Sequence, residues 1–210
     1  MRTLAIETAT EACSVALFED GALIDARHEV LGRGHAERLV PMIADLQDQG
    51  RADAIRVSLG PGSFTGVRIG LAVARALGIA WSAEVRGYPT LALVAAFARA
   101  EAGMADPGKP LTVCMNGGHG QWFVQNFNGD GTPLSEASSL QPAEAAASDV
   151  LAGIAGNRAA DLAALLSGGT AAAFDCLPDA RHALALPESV LTTDLSPMYG
   201  RAPDAKAPAR

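Results

Sequence analysis

Gly60-Pro61-Gly62-Ser63-Phe64-Thr65-Gly66-Val67-Arg68-Ile69-Gly70-Leu71-Ala72-Val73-Ala74-Arg75-Ala76-Leu77-Gly78 is a glycine- and hydroxyl-rich turn running straight into an apolar helix. The turn admits two readings. Gly60 and Gly62 permit backbone angles other residues resist, and Ser63 and Thr65 stand where a helix N-terminus offers free N–H groups to an anion. Alternatively Ser63 or Thr65 simply caps the helix. A Walker A loop is excluded because no lysine precedes the final hydroxyl, and G-x-G-x-x-G fails because Thr65 holds the third glycine position. Apolar side chains spread around more than one face of the helix, so packing on a sheet alone would leave part of them uncovered. Gly66, Gly70, Ala74 and Gly78 recur every four residues as a small-residue ridge, along which a second helix can approach closely. That helix could be the chain's own 35–49 segment, a second copy or a partner's.

Working outward, Thr3 to Thr8 and Cys13 to Phe18 alternate as strands, and Asp20-Gly21 is a hairpin signal returning the chain through Leu23 to His28. Leu39, Met42, Ile43 and Leu46 follow helical spacing, with Pro41 starting or kinking that helix. Ile55 to Leu59 is a strand feeding the glycine turn, and Tyr88-Pro89-Thr90 opens another apolar helix to Ala100. Residues 101–110 read as a linker. Strands at Leu111–Met115 and Gln121–Phe127, a turn at Asn128-Gly129-Asp130-Gly131, a helix from Gln141-Pro142, a strand at Leu151–Ala155 and a helix over Arg158–Leu166 then repeat the order of the first half. Tandem meander-first halves predict an α/β protein of two actin-like, ribonuclease-H-like lobes, each a mixed sheet with packed helices. The divisions are a first lobe over 1–102, a smaller second lobe over 103–195 and a partly mobile tail over 196–210.

The chain has 210 residues, 16 basic against 23 acidic, for a net charge of -7. An isolated nucleic-acid binder would show a basic stripe, so tRNA or DNA contact would have to come through a partner. Three scattered cysteines indicate neither disulfides nor a zinc cluster. An acid at Glu7 where a signal peptide needs an apolar core, and no apolar run near a membrane span, predict a cytoplasmic protein with no membrane contact.

Other constellations are weaker. Glu7-Thr8-Ala9-Thr10 could offer an acid and hydroxyls to a nucleotide, but lacks the second acid a phosphotransferase would use as base. Leu166-Ser167-Gly168-Gly169-Thr170 is a faint adenosine-loop match. Ser63 lacks the flanking glycines of a nucleophile elbow, and the four histidines form no triad pattern. His35 is followed at i+4 by Leu39, where a metal-binding helix would need a second ligand.

Ile6-Glu7-Thr8-Ala9-Thr10, His35-Ala36-Glu37-Arg38-Leu39-Val40-Pro41, Gly60 to Gly70 and Pro197-Met198-Tyr199 with Arg201 and Lys206 together resemble the TsaB (YeaZ) family. The resemblance implies a non-catalytic subunit of the bacterial machinery that attaches threonylcarbamoyl to the adenosine beside the anticodon of tRNA. In that family a paralogue, TsaD, carries a metal through a histidine pair and performs the transfer, and TsaE is an associated ATPase. It further implies a heterodimer with a TsaD-like partner, or a homodimer when alone, through the segments 35–49 and 65–78. The interface residues would be His35, Leu39, Met42, Gly66, Arg68, Gly70, Ala74 and Arg75. No cofactor is implied, beyond weak or interfacial nucleotide contact at Thr8, Thr10, Gly62 and Ser63. The family's second-lobe Asp-Ala-Arg is replaced here by Asn116-Gly117-Gly118, which loses an acid and a base. The competing readings are an actin-fold ATPase or small-molecule kinase using Thr8, Thr10 and Ser63, and a homodimeric binding module.

Overall fold

The computed structural model describes residues 1–101, 108–166 and 172–200. Most of the expected 101–110 linker, most of the Leu166–Thr170 loop, and Arg201, Lys206 and the rest of the tail from 201 lie outside these residues.

The first lobe begins with the expected meander: β1 (Arg2–Glu7), β2 (Ala12–Glu19) and β3 (Ala22–Val30). Asp20 and Gly21 both have positive φ, 49° and 86°, as the two-residue turn between twisted antiparallel strands requires. α1 (His35–Ala44), β4 (Ala54–Ser58), α2 (Phe64–Trp81), β5 (Glu84–Tyr88) and α3 (Thr90–Ala100) follow. The second lobe comprises β6 (Gly108–Gly118), β7 (Gln121–Gly129), β8 (Ser138–Leu140), α4 (Pro142–Ala146), β9 (Gly153–Ala155), α5 (Ala159–Leu165) and β10 (Ala172–Phe174). The sheets run β3-β2-β1-β4-β5 and β8-β7-β6-β9-β10, with antiparallel meanders and parallel β1–β4, β4–β5, β6–β9 and β9–β10 pairs. This shared order is the duplication anticipated from the element sequence, and it is the two-lobed actin-like arrangement.

Strand alternation assigns the layers. Leu4, Ile6, Val15 and Leu17 face α1 and α2, whereas Ala5, Ala16 and Phe18 face α3 in a core shared with Leu111, Val113 and Phe127 of the second sheet. Cys114, Trp122, Val124 and Ile154 turn the other way, onto α4 and α5. α3 is thus sandwiched between the sheets, which explains why it is buried nearly all round.

Three differences from the sequence reading bear on the site. The 35–49 helix ends at Ala44, because Asp48 and Gln49 adopt left-handed backbone (φ 49° and 56°) in a 3-10 turn. Pro41 lies inside α1, on its exposed side. α2 continues to Trp81, and at 18 residues it is, by length and composition, long enough to cross a membrane; here its inner face is buried against the first sheet. Finally, the second lobe's sheet ends at Phe174, and the chain then returns to the first lobe. Ala180 N donates to Ser14 Oγ (3.0 Å), Gly87 and Thr192 exchange backbone bonds, and Met198 N donates to Leu59 O (2.7 Å).

Candidate functional site

The lobes meet across a cleft of about 630 Å³. Its first-lobe wall is the Ala9–Glu11 turn, the loop 32–34 with the start of α1, and the α2 N-terminus; its second-lobe wall is Asn116, Gly117, Gly118 and Asn157. The glycine turn sits here because Gly62 packs directly on Ala9: any Cβ at Gly62 would run into the Ala9 carbonyl. Ser63 N donates to that same carbonyl at 2.6 Å.

Ser63 Oγ accepts from Gly66 N at 3.2 Å, so the hydroxyl caps α2. Ser63→Ala is expected to cost about 1 kcal/mol, read as a lowered urea midpoint with unchanged slope. Thr10 and Gly62 also line the cleft, although Thr10 Oγ1 already accepts from Ala12 N at 3.2 Å. Thr8, the fourth expected anion contact, is buried, and its hydroxyl is spent on the Gly66 carbonyl at 2.8 Å. Glu7 lies beneath the turn rather than in the cleft. Its Oε1 accepts from Ala9 N at 2.6 Å, its Oε2 finds no hydrogen-bond partner among the described residues, and burial pushes its carboxyl up to about 7. So placed, the carboxyl lies outside the lining of the cleft.

Glu11 and Asn157 were not singled out in the sequence, yet they span the cleft: Asn157 Nδ2 donates to Glu11 Oε1 at 2.8 Å, and Asn157 Oδ1 accepts from Asn116 N at 2.9 Å. The Asn116-Gly117-Gly118 departure therefore falls on the second-lobe wall. A metal on α1 does not fit. His35 is buried with Nε2 3.2 Å from Ala12 O, and Leu39 is fully buried. Among the described residues no three His, Cys, Asp or Glu side chains converge.

The expected interface residues divide into two sets. His35, Leu39, Met42, Gly66, Gly70 and Ala74 are buried within the lobe, so they cannot touch a partner in this structure. The glycine ridge faces the chain's own sheet: a Cβ at Gly66 would meet the Thr8 carbonyl, at Gly70 the Thr8 hydroxyl, and at Gly78 the Val85 side chain. Small residues there bring α2 close to β1 and β5 instead of to another helix. Arg68 and Arg75 alone of the expected set are exposed. The outward face beside them is apolar, with Val40 and Pro41 from α1 and Ala72, Ala76 and Ile79 from α2 all exposed, Ile79 by 84%.

Residues 27–193 match the family model described as TsaD: tRNA N6-adenosine threonylcarbamoyltransferase. The tRNA threonylcarbamoyladenosine biosynthesis protein TsaB of Escherichia coli (strain K12) is 45% identical over 100 residues, covering 45% of this chain and 43% of that protein. The TsaB protein of Haemophilus influenzae is 41% identical over 97 residues, covering 44% and 40%. The chain thus spans under half the length of these curated relatives. Two solved structures agree over nearly the whole fold. YeaZ from Pseudomonas aeruginosa superposes with a TM-score of 0.77 at 27% identity, over 94% of this chain and 99% of that one. A protein described as having similarity to peptidase YEAZ from Pseudomonas aeruginosa superposes at 0.74 with 30% identity, over 88% and 89%. On a match this long, joined to a two-lobed structure that follows the YeaZ fold over 94% of the chain, the chain belongs to the TsaD family of tRNA N6-adenosine threonylcarbamoyltransferases, within its TsaB/YeaZ group.

Proposed function

We propose that this chain is a non-catalytic, activating subunit in tRNA threonylcarbamoyladenosine biosynthesis, docking on a TsaD-like paralogue through the outward face of α1 and α2. The observation that carries the reading is the apolar composition of that face: Val40 and Pro41 on α1 and Ala72, Ala76 and Ile79 on α2 are all exposed. Exposed apolar side chains gathered on two neighbouring helices are what a protein contact requires. The cleft supports the same reading from the other side, since Ser63 is spent on capping, Thr8 on the Gly66 carbonyl and Glu7 is buried below the floor. In this reading the chain acts in the cytoplasm, holds no resident cofactor, works beside a TsaE-like ATPase, and pairs with itself only when the paralogue is absent.

Reconstitution tests the proposal. Purified TsaD-like and TsaE-like proteins should modify tRNA in the presence of this chain and lose most of that activity without it. Equal modification in both mixtures would sink the activating role. Magnesium-dependent nucleotide turnover by the chain alone would instead favour a kinase or ATPase. Replacing Ala76 and Ile79 together by Arg and Lys should weaken paralogue binding at least tenfold while leaving the melting temperature unchanged, because both side chains point to solvent. Retained affinity would place the contact elsewhere.

A further inference from the structure

At the N-terminal end of α2 the structure builds a surface that the apolar docking face does not use. Phe64 and Tyr199 are 64% and 54% exposed, and their rings stack at 6.0 Å between centroids with planes 28° apart. The Arg68 guanidinium lies 3.3 Å from the Phe64 centroid and 5.3 Å from that of Tyr199, donating to the Phe64 carbonyl (3.1 Å) and to the Tyr199 hydroxyl. Two further bonds hold the segment that carries Tyr199: Met198 N to Leu59 O at 2.7 Å, and Arg75 to Leu195 O at 3.0 Å. The two rings are fixed in orientation and left open to solvent, so the side-chain entropy of binding to them is already spent.

The local charge narrows the occupant. α2 carries Arg68 and Arg75 and no acid over 18 residues, in a chain whose net charge is -7. A second copy would set arginines against arginines. An acidic peptide would meet the charge, but would present a planar face only where an aromatic residue stands beside its acids. An unpaired nucleotide supplies both, a π-face for the aromatic pair and a flanking phosphate for the arginines.

We propose that Phe64, Arg68 and Tyr199 form a stacking platform for an unpaired nucleotide of an RNA. The identity of that RNA as tRNA rests on the reading under Proposed function; the platform itself does not. Because the rest of the chain is acidic, the contact by itself is weak and gains strength when a partner holds the RNA nearby.

The test uses the full chain and a tRNA transcript carrying 4-thiouridine, irradiated at low salt. Crosslinks are expected at Phe64 or Tyr199 and should disappear when both are replaced by leucine, which keeps apolar bulk but removes the rings. Phe64→Leu alone, which leaves the Tyr199–Arg68 bond in place, should remove most of the adduct and stands in if the double variant unfolds. In the assembled complex the double variant should weaken tRNA binding about 5- to 150-fold with assembly unchanged. Absent crosslinks, or crosslinks that persist undiminished in the variants, overturn the proposal. So does loss of paralogue binding in the double variant, which would make the cluster a protein contact. If the wild-type chain fails to bind the paralogue, the function proposed above falls, while the crosslinking result still decides the platform.

Discussion

Gly66→Ala is expected to lower the melting temperature by about 5–10 °C, through a stability loss of about 2–3 kcal/mol. The sign is the informative part. At an exposed helix position the same change would stabilise by about 1 kcal/mol, because alanine loses less backbone freedom on folding. At Gly66 the new methyl would point at the Thr8 carbonyl oxygen, a backbone atom at the end of β1 that cannot rotate away. α2 would have to lift off the sheet at its first turn, breaking the Thr8 Oγ1 bond to the Gly66 carbonyl and disturbing the Ser63 cap. Ala72→Gly on the outer face of the same helix is the control, with an expected loss of only about 1 kcal/mol from propensity. A ridge built for a partner helix would give the opposite pattern: Gly66→Ala would leave the isolated chain as stable or more so and would damage only assembly. Thermal melts of the two variants, each with and without the paralogue, separate the cases.

That reversal marks how far the sequence could be read. The meander was legible because Asp20-Gly21 between alternating strands permits little else, and the duplicated order followed from element types alone. β5, β8 and β10 were not. Glu84–Tyr88 contains Arg86 and Gly87, and Ser138–Leu140 and Ala172–Phe174 are three residues each, too short to show a period of two. The four-residue spacing of Gly66, Gly70, Ala74 and Gly78 correctly announced a close approach, but periodicity cannot say what approaches. Only the register of α2 over β1 assigns the ridge to Thr8. Likewise Thr10, Gly62 and Ser63 were found from the local chemistry of their turns, whereas Glu11 and Asn157 lie 146 residues apart and meet only through the stacking of two lobes. The same holds for Tyr199, which a sequence motif singled out but whose ring reaches Phe64 and Arg68 only because the chain crosses back to the first lobe after Phe174.

The contribution of Glu7 to stability should fall as pH rises from about 4.5 to about 7, and Glu7→Gln should abolish that component. Glu7 is fully buried, burial pushes its carboxyl from the ordinary 4.5 to about 7, and the Ala9 N–H offsets only part of that cost. The native state therefore keeps the proton up to about pH 7, while the unfolded chain releases it near 4.5. Between these values the native state binds more protons, so each increment of pH favours unfolding. Above pH 7 the full penalty is present, about 3 kcal/mol for a shift of this size. The Ser58 hydroxyl and the Thr8 N–H add partial relief, whereas the Tyr88 hydroxyl is directed elsewhere, donating to the Ile6 carbonyl at 2.8 Å. The surface acids with lowered values, Asp20, Asp25 and Glu29 among them, act with the opposite sign at lower pH, and His182, which burial pushes below the usual imidazole range, opposes Glu7 within the same window; all of these cancel when variant and wild type are compared at each pH. The measurement is a series of urea unfolding curves from pH 4.5 to 8.5 on both proteins. The wild type should lose ground to Glu7→Gln steadily up to about pH 7 and then run parallel to it. Any mismatch of the new amide with its surroundings would add a pH-independent offset without altering the slope. Parallel curves throughout the range would mean that Glu7 is already ionised in the native state, with a cation or water at Oε2 to hold the charge.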